Sequence, residues 1–148
     1  MTSDFSHYNC DGGAVMVDIS PKAPTERFAR ACAVVKMDST TIRAIEKNLL
    51  PKRDVFEVAR IAGIMAAKKT ADLIPMCHPL MLTYINVLIT INNETSCVEI
   101  ESEAKLTGKT GVEMEALMAA SVAALTVYDM CKAVDKNMII GECRLLEK

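Results

Sequence analysis

The sequence predicts an α+β fold of the ferredoxin-like kind, βαββαβ, with an antiparallel sheet and helices packed on one face. Three observations lead there. Residues 27–37 and 84–91 alternate apolar and other side chains with the period of two that a half-buried strand requires. Residues 54–73 and 111–132 carry apolar residues at helical spacing, the second stretch around most of its circumference. The patterns follow one another as β, α, α, β, β, α, β, which becomes βαββαβ when the first two helical stretches form one crossover.

Taken in order, residues 1–26 are polar and broken by Gly12, Gly13, Pro21 and Pro24, so an extended N-terminal arm is expected, with one short strand at Val15 to Ile19. Residues 27–148 form a single catalytic-sized domain. In its first strand Ala29, Ala31, Ala33, Val35 and Met37 share one face. Cap-type residues from Asp38 onward precede Ile42, Ile45 and Leu49, spaced for a short helix. Val55, Val58, Ala59, Ala62, Met65 and Ala66 then make a helical stripe, opened by Asp54 and Glu57 at capping-box spacing and ended before Pro75. Ile85, Val87, Ile89 and Ile91 mark a strand, Asn92 to Glu94 a turn, and Ser96 to Lys105 the returning strand of a hairpin. The helix from Gly111 to Lys132 is apolar on more than one side and should be buried, and Met138 to Leu146 supplies the last strand. Helices on one face leave the sheet's other face to water or to another subunit, and an apolar content of 51% favours the subunit.

A net charge of −2 without a dominant basic cluster argues against general nucleic-acid affinity, which needs clustered cations. The six cysteines, Cys10, Cys32, Cys77, Cys97, Cys131 and Cys143, lie at least twelve residues apart and make no C-x-x-C or zinc-type Cys/His spacing. Reduced thiols and a cytoplasmic location are therefore expected. The start, MTSDFSHYNC, lacks the basic and apolar regions of a secretion signal. Ala116 to Tyr128, the longest apolar stretch, is shorter than the roughly 20 residues of a membrane span.

Leu106 to Ala116, LTGKTGVEMEA, contains the Gly-Lys-Thr that ends a phosphate-binding P-loop. That loop also needs a glycine five residues before Gly108, and the position holds Glu103, a carboxylate that repels the anion. The fragment is not a P-loop. In LIPMCHPLM, His78 stands between Pro75 and Pro79 in a stiff connection, where sites tend to lie, although bonding to local backbone groups explains it equally well. Cys77 has the chemistry of a nucleophile, but in apolar surroundings inert packing is the commoner role.

Asp129 and Lys132 are three apart near a helix end, so they touch. A plain ion pair at the helix C-terminus accounts for them more simply than an acid/base pair. Thr110 and Glu113 have capping-box spacing, which explains Glu113, whereas Glu115 has no such explanation. Glu115 and Asp129 lie about 21 Å apart along a helix axis, so if both ends are functional the site is built between chains. Lys52 and Arg53 precede a helix N-terminus, where anions collect, and Arg27 opens a strand as either a phosphate clamp or an edge charge.

Four stretches, MVDISPKAPTERFARA, KRDVFEVARIAGIMAAKKTADLIPMCHPL, LTGKTGVEMEALMAASVAALTVYDMCKAV and IIGECRLL, together resemble one family, the cyclic pyranopterin monophosphate synthases, the C protein of molybdenum cofactor biosynthesis. The resemblance runs from Met16 to Leu146. It implies a lyase assembled as a hexamer, a trimer of dimers, with its pocket at the dimer interface. The implied reaction converts 3′,8-cyclo-7,8-dihydro-GTP, supplied by a radical partner enzyme, to the cyclic pyranopterin monophosphate with release of pyrophosphate. Matched by motif, the catalytic residues fall on Lys52, Asp129 and Lys132, and the substrate-binding residues on Met76, Cys77, His78, Glu113, Met114, Glu115 and Arg27. The lysines are expected to have lowered pKa values and to act as acid and base, with Asp129 positioning one of them. No redox cofactor and no resident metal are implied; magnesium shielding the triphosphate is left open. The alternative is a non-catalytic oligomeric sensor of the same fold that binds a pterin or purine nucleotide. The chain departs from the family pattern at Arg53, commonly glycine, at Met65, often glutamine, and at Met118, usually threonine.

Overall fold

In the computed structural model, which describes residues 7–52 and 54–148, the first alternating segment is strand β1, Thr25–Lys36. Ala29, Ala31, Ala33 and Val35 are fully buried, and Arg30, Cys32 and Val34 between them face the other way. The crossover holds α1 Ser39–Glu46, α2 Val55–Lys68 and the single turn α3 Thr70–Leu73. A hairpin follows, β2 Tyr84–Asn92 and β3 Cys97–Gly108, then α4 Glu113–Cys131 and β4 Ile139–Glu147. All pairings are antiparallel and the sheet order is β2-β3-β1-β4, the ferredoxin-like arrangement. The central pair keeps register from Thr25 opposite Gly108 to Lys36 opposite Cys97.

Small residues build the core. On α4, Ala116, Ala119, Ala120, Ala123 and Ala124 are fully buried, and α2 meets that alanine flank with Ala59 and Gly63. A Cβ placed on Gly63 would lie 2.8 Å from the Ala119 carbonyl oxygen and 3.3 Å from Ala123 Cβ, so only glycine permits this approach. Interaxial distance follows the side chains at the contact, and here they are nearly absent. α4 is long and apolar enough to cross a membrane by length and composition, unlike the shorter stretch 116–128, but its alanine flank is the protein core.

Several local expectations are corrected. In α2 the buried residues are Val55, Ala59, Gly63, Ala66 and Ala67, while Val58 and Met65 are 41% and 52% exposed. The helix presents its smallest side chains to α4, which turns the bulkier members of the stripe outward. Asp54 does not form a capping box: it is left-handed, at φ 55, and makes no cap hydrogen bond, and Glu57 pairs with Arg60 instead. The helix stops at Lys68, where the Thr70 hydroxyl donates to the carbonyls of Ala66 and Ala67. No strand forms at Val15 to Ile19; among the described residues the arm has an isolated bridge between Tyr8 and Ala14. Arg53 lies outside the described residues.

The sheet's second face, left uncovered by the helices, carries paired charges beside apolar side chains such as Leu88, 52% exposed. Arg30 pairs with Glu101 at 2.8 Å and with Glu147 at 3.4 Å, and Lys105 with Glu103 at 2.8 Å. The Lys105 ammonium also lies 5.0 Å from the ring centre of Tyr84 and 5.5 Å from that of Phe28. The helix layer also exposes apolar side chains, with Val58, Ile61 and Met65 on α2 and Leu125 on α4.

Candidate active site

The N-terminal end of α4 forms the first half of a site. β3 runs to Gly108, so the Leu-Thr-Gly of the P-loop-like fragment is strand. Lys109 pins the arm, its Nζ donating to the Ser20 carbonyl at 2.8 Å. Val112, not Thr110, is the N-cap of α4 and no side chain caps the helix, so the predicted box from Thr110 to Glu113 is absent. Two residues of offset remove the reach such a box needs. Glu113 folds back over Gly111, where a Cβ would collide with its carboxylate, and pairs with Lys148 at 3.1 Å.

A cavity of about 330 Å³ opens beside this turn. Met76, Cys77 and His78 from the proline-pinned connection line it together with Glu113, Met114 and Glu115. The arm closes another side with His7, Val17, Ile19 and Lys22, a contribution that sequence reasoning missed. The alternation of Val15, Val17 and Ile19 was the available signal; two of these side chains wall the cavity rather than joining a sheet. His78 Nε2 lies 2.8 Å from the Val17 carbonyl, and since a carbonyl only accepts, Nε2 carries the proton. Its partner is 61 residues away, so local backbone does not explain this histidine.

Glu115 is only 3% exposed. Burial pushes its pKa up against the counteracting hydrogen bond of its own backbone N–H, and the Glu113 charge adds to the rise. Burial and the Glu115 carboxylate likewise raise the Cys77 thiol, which is therefore protonated and inert at neutral pH.

The C-terminal end of α4 forms the second half. Lys52 Nζ lies 2.9 Å from Asp129 Oδ2 and 3.2 Å from the Asp129 carbonyl, and Lys132 Nζ lies 2.7 Å from Asp129 Oδ1. One carboxylate thus holds two ammonium groups. The Lys132 hydrogen bond and then that of Lys52 lower Asp129 to about 2. Lys132 is raised by the same pairing, contrary to the expected lowering, because a direct bond to a carboxylate outweighs the small loss of solvation. Side-chain exposures of 48%, 53% and 55% for Lys52, Asp129 and Lys132 leave this cluster open to water.

The predicted site residues therefore fall into separate groups on one chain. Glu115 and Asp129 stand about 21 Å apart along α4. Arg27 belongs to neither group: it lines a third hollow with Lys105, Thr83 and Thr107, and its buried Nε has no hydrogen-bond partner among the described residues. Among the described residues no three His, Cys, Asp or Glu side chains gather as a metal-binding group. The first half offers carboxylates and an imidazole to a polar ring; the second offers paired cations and a carboxylate to an anion and its protons. The MoaC family model matches residues 16–148. With nearly all of the chain in that match, the protein belongs to the MoaC family and has a role in molybdenum cofactor biosynthesis.

Proposed function

We propose that this chain is the cyclic pyranopterin monophosphate synthase of that route, converting 3′,8-cyclo-7,8-dihydro-GTP to the cyclic product and pyrophosphate in a site shared by two copies. The observation that carries the reading is the division of complementary groups between the two ends of α4: Glu113, Glu115 and His78 at one, and Lys52, Asp129 and Lys132 at the other. A twofold axis crossing α4 near its middle sets each first half against the partner's second half. Val58, Ile61, Met65 and Leu125 supply apolar surface for such a contact, and three dimers make the hexamer.

In this account the buried Glu115 and the half-buried Glu113 carboxylates accept the N–H groups of the guanine-derived ring. The cyclic phosphate closes when a sugar hydroxyl attacks the α-phosphorus, the bond to the β-phosphate bridging oxygen breaks, and pyrophosphate leaves with that electron pair. Cations near the bridging oxygen stabilise the charge that develops there. Lys132, held as ammonium by Asp129, suits the acid role. Lys52, the other ammonium on Asp129, then takes the base role as the site closes. The buried Nε of Arg27, without a partner among the described residues, suits a phosphate oxygen. No redox cofactor is required, and the role open to magnesium is shielding of the triphosphate. The radical enzyme that makes the substrate is the functional partner. Six free thiols fit a reducing cytoplasm.

Incubation of the purified protein with the cyclic GTP intermediate tests the reading: it predicts pyrophosphate and pyranopterin in equal amounts. Tight binding without pyrophosphate overturns it in favour of a sensor. Glu115→Gln provides a second check. The raised pKa means that the folded state holds the Glu115 proton more tightly than the unfolded chain. Wild-type stability therefore falls as pH rises above the ordinary value of 4.5, and levels off above the raised folded value. The glutamine variant lacks this loss, so its Tm should exceed that of wild type at pH 8 and match it at pH 4, while affinity for the intermediate drops about 10–100-fold. Scanning calorimetry at the two pH values and a binding titration read both effects.

A further inference from the structure

Asp135, just past α4, is 6% exposed and lies outside every group assigned above. Its Oδ2 accepts from the Asp38 backbone N–H at 2.9 Å and from the Thr41 hydroxyl at 3.1 Å, and its Oδ1 accepts from the Asn137 N–H at 3.0 Å. Asp38 is the N-cap residue of α1 but makes no side-chain cap of its own. The helix is instead clasped from a distant segment by a buried carboxylate, whose pKa the Asp38 N–H bond helps to lower.

The other end of α1 is equally fixed. Leu49 N–H bonds to the Ala44 carbonyl and Asn48 N–H to the Ile45 carbonyl, both at 2.9 Å, with Asn48 left-handed at φ 53. This is a Schellman ending, which sets the direction in which the chain leaves the helix. Leu50, 5% exposed, anchors the next step in the core, and Lys52 follows two residues later against Asp129. α1 is thus a short rigid lever with Asp135 at its start and Lys52 beyond its end. Asp129 lies in the last turn of α4 and Asp135 four residues past its end, so two carboxylates six residues apart in sequence hold opposite sides of one lever. Ile42, 1% exposed, packs α1 into the core, but apolar packing is not directional and leaves rotation of the helix to be set by hydrogen bonds.

We infer that Asp135 is a positioning residue for Lys52: by clasping the start of α1 it sets where the Lys52 ammonium meets Asp129. The effect on turnover rests on the proposed reaction; the effect on the Lys52–Asp129 contact does not. Asp135→Ala removes all three bonds, Asp135→Asn retains an oxygen for the two that reach α1, and Thr41→Val removes one without leaving a donor unpaired. The direct reading is a carboxyl-resolved NMR titration of Asp129 in the full chain without ligand. Wild type should titrate at about 2. Asp135→Ala should titrate at clearly higher pH because Lys52 has moved away while Lys132 remains, Thr41→Val should shift less in the same direction, and Asp135→Asn should stay near wild type. Turnover of the cyclic GTP intermediate should fall about 10²-fold in Asp135→Ala, as for other misplacements of a reacting group by an ångström or so. Should Asp135→Ala not fold, Thr41→Val alone decides. An unchanged Asp129 midpoint in folded Asp135→Ala, or in Thr41→Val where the alanine variant does not fold, overturns the inference, whatever the activity does. A shifted midpoint in a protein that never releases pyrophosphate upholds it and overturns the reaction.

Discussion

Replacing Lys132 with alanine should lower turnover of the cyclic GTP intermediate by about 10²–10⁴-fold, the range for loss of a positioned proton-transfer group, while leaving the fold intact. The side chain is 55% exposed and its one described ion pair is with Asp129. No core contact is lost, and Asp129 still holds Lys52 at 2.9 Å. The rate loss must then come from chemistry. Because Lys132 is an ammonium in the free protein, its removal takes away a proton donor and a cation together. Single-turnover rates at saturating substrate separate this from weakened binding, since a lost transition-state contact lowers kcat with little change in KM. A rate within a few-fold of wild type would remove Lys132 from the mechanism.

Gly63→Val should cost about 3 kcal/mol, the upper part of the usual range for overpacking. The new Cβ meets the Ala119 carbonyl oxygen at 2.8 Å, and backbone cannot rotate aside as a side chain can. α2 must move off α4, opening the alanine interface from Ala116 to Ala124. For a chain of this size the loss corresponds to a Tm lower by roughly 6–12 °C. Gly63→Ala should fall between the two proteins. Thermal melts of all three check the order, and an unchanged Tm for the valine variant would mean that the helices do not pack through Gly63.

The sheet was legible because Ala29, Ala31, Ala33 and Val35 leave no doubt about period, and a strand's faces follow from period alone. Burial of α4 was legible for a related reason: it has no continuous polar face to give to water. The face of α2 was not. Hydropathy ranks Val58 and Met65 above Gly63, whereas the packing selected for smallness, a criterion that depends on the partner helix. Both capping boxes failed similarly, since spacing reports which residues are three apart but not whether the first is extended, and Asp54 is left-handed.

At the site, His78 and Glu115 were legible because the prolines around one and the missing structural explanation for the other set them apart. The contact between Lys52 and Asp129 spans 77 residues and depends on where the chain after α1 is delivered, which no local pattern encodes. The arm docks through main-chain carbonyls of Val17 and Ser20, and backbone acceptors carry no side-chain signature. The separation of the two half-sites needed only the helix rise.

Mixing two defective proteins tests that separation most directly. Glu115→Gln damages one end of α4 and Lys132→Ala the other, so chains of the two kinds should be co-expressed and the mixed assembly assayed for pyrophosphate release. If the site lies between twofold-related copies, half of the dimers pair unlike chains, and each of these has one site with both defects and one with neither. Activity should rise to about a quarter of wild type, well above either parent. If every site is built within one chain, each carries a defect, and the mixture will show no more than the average of its parents.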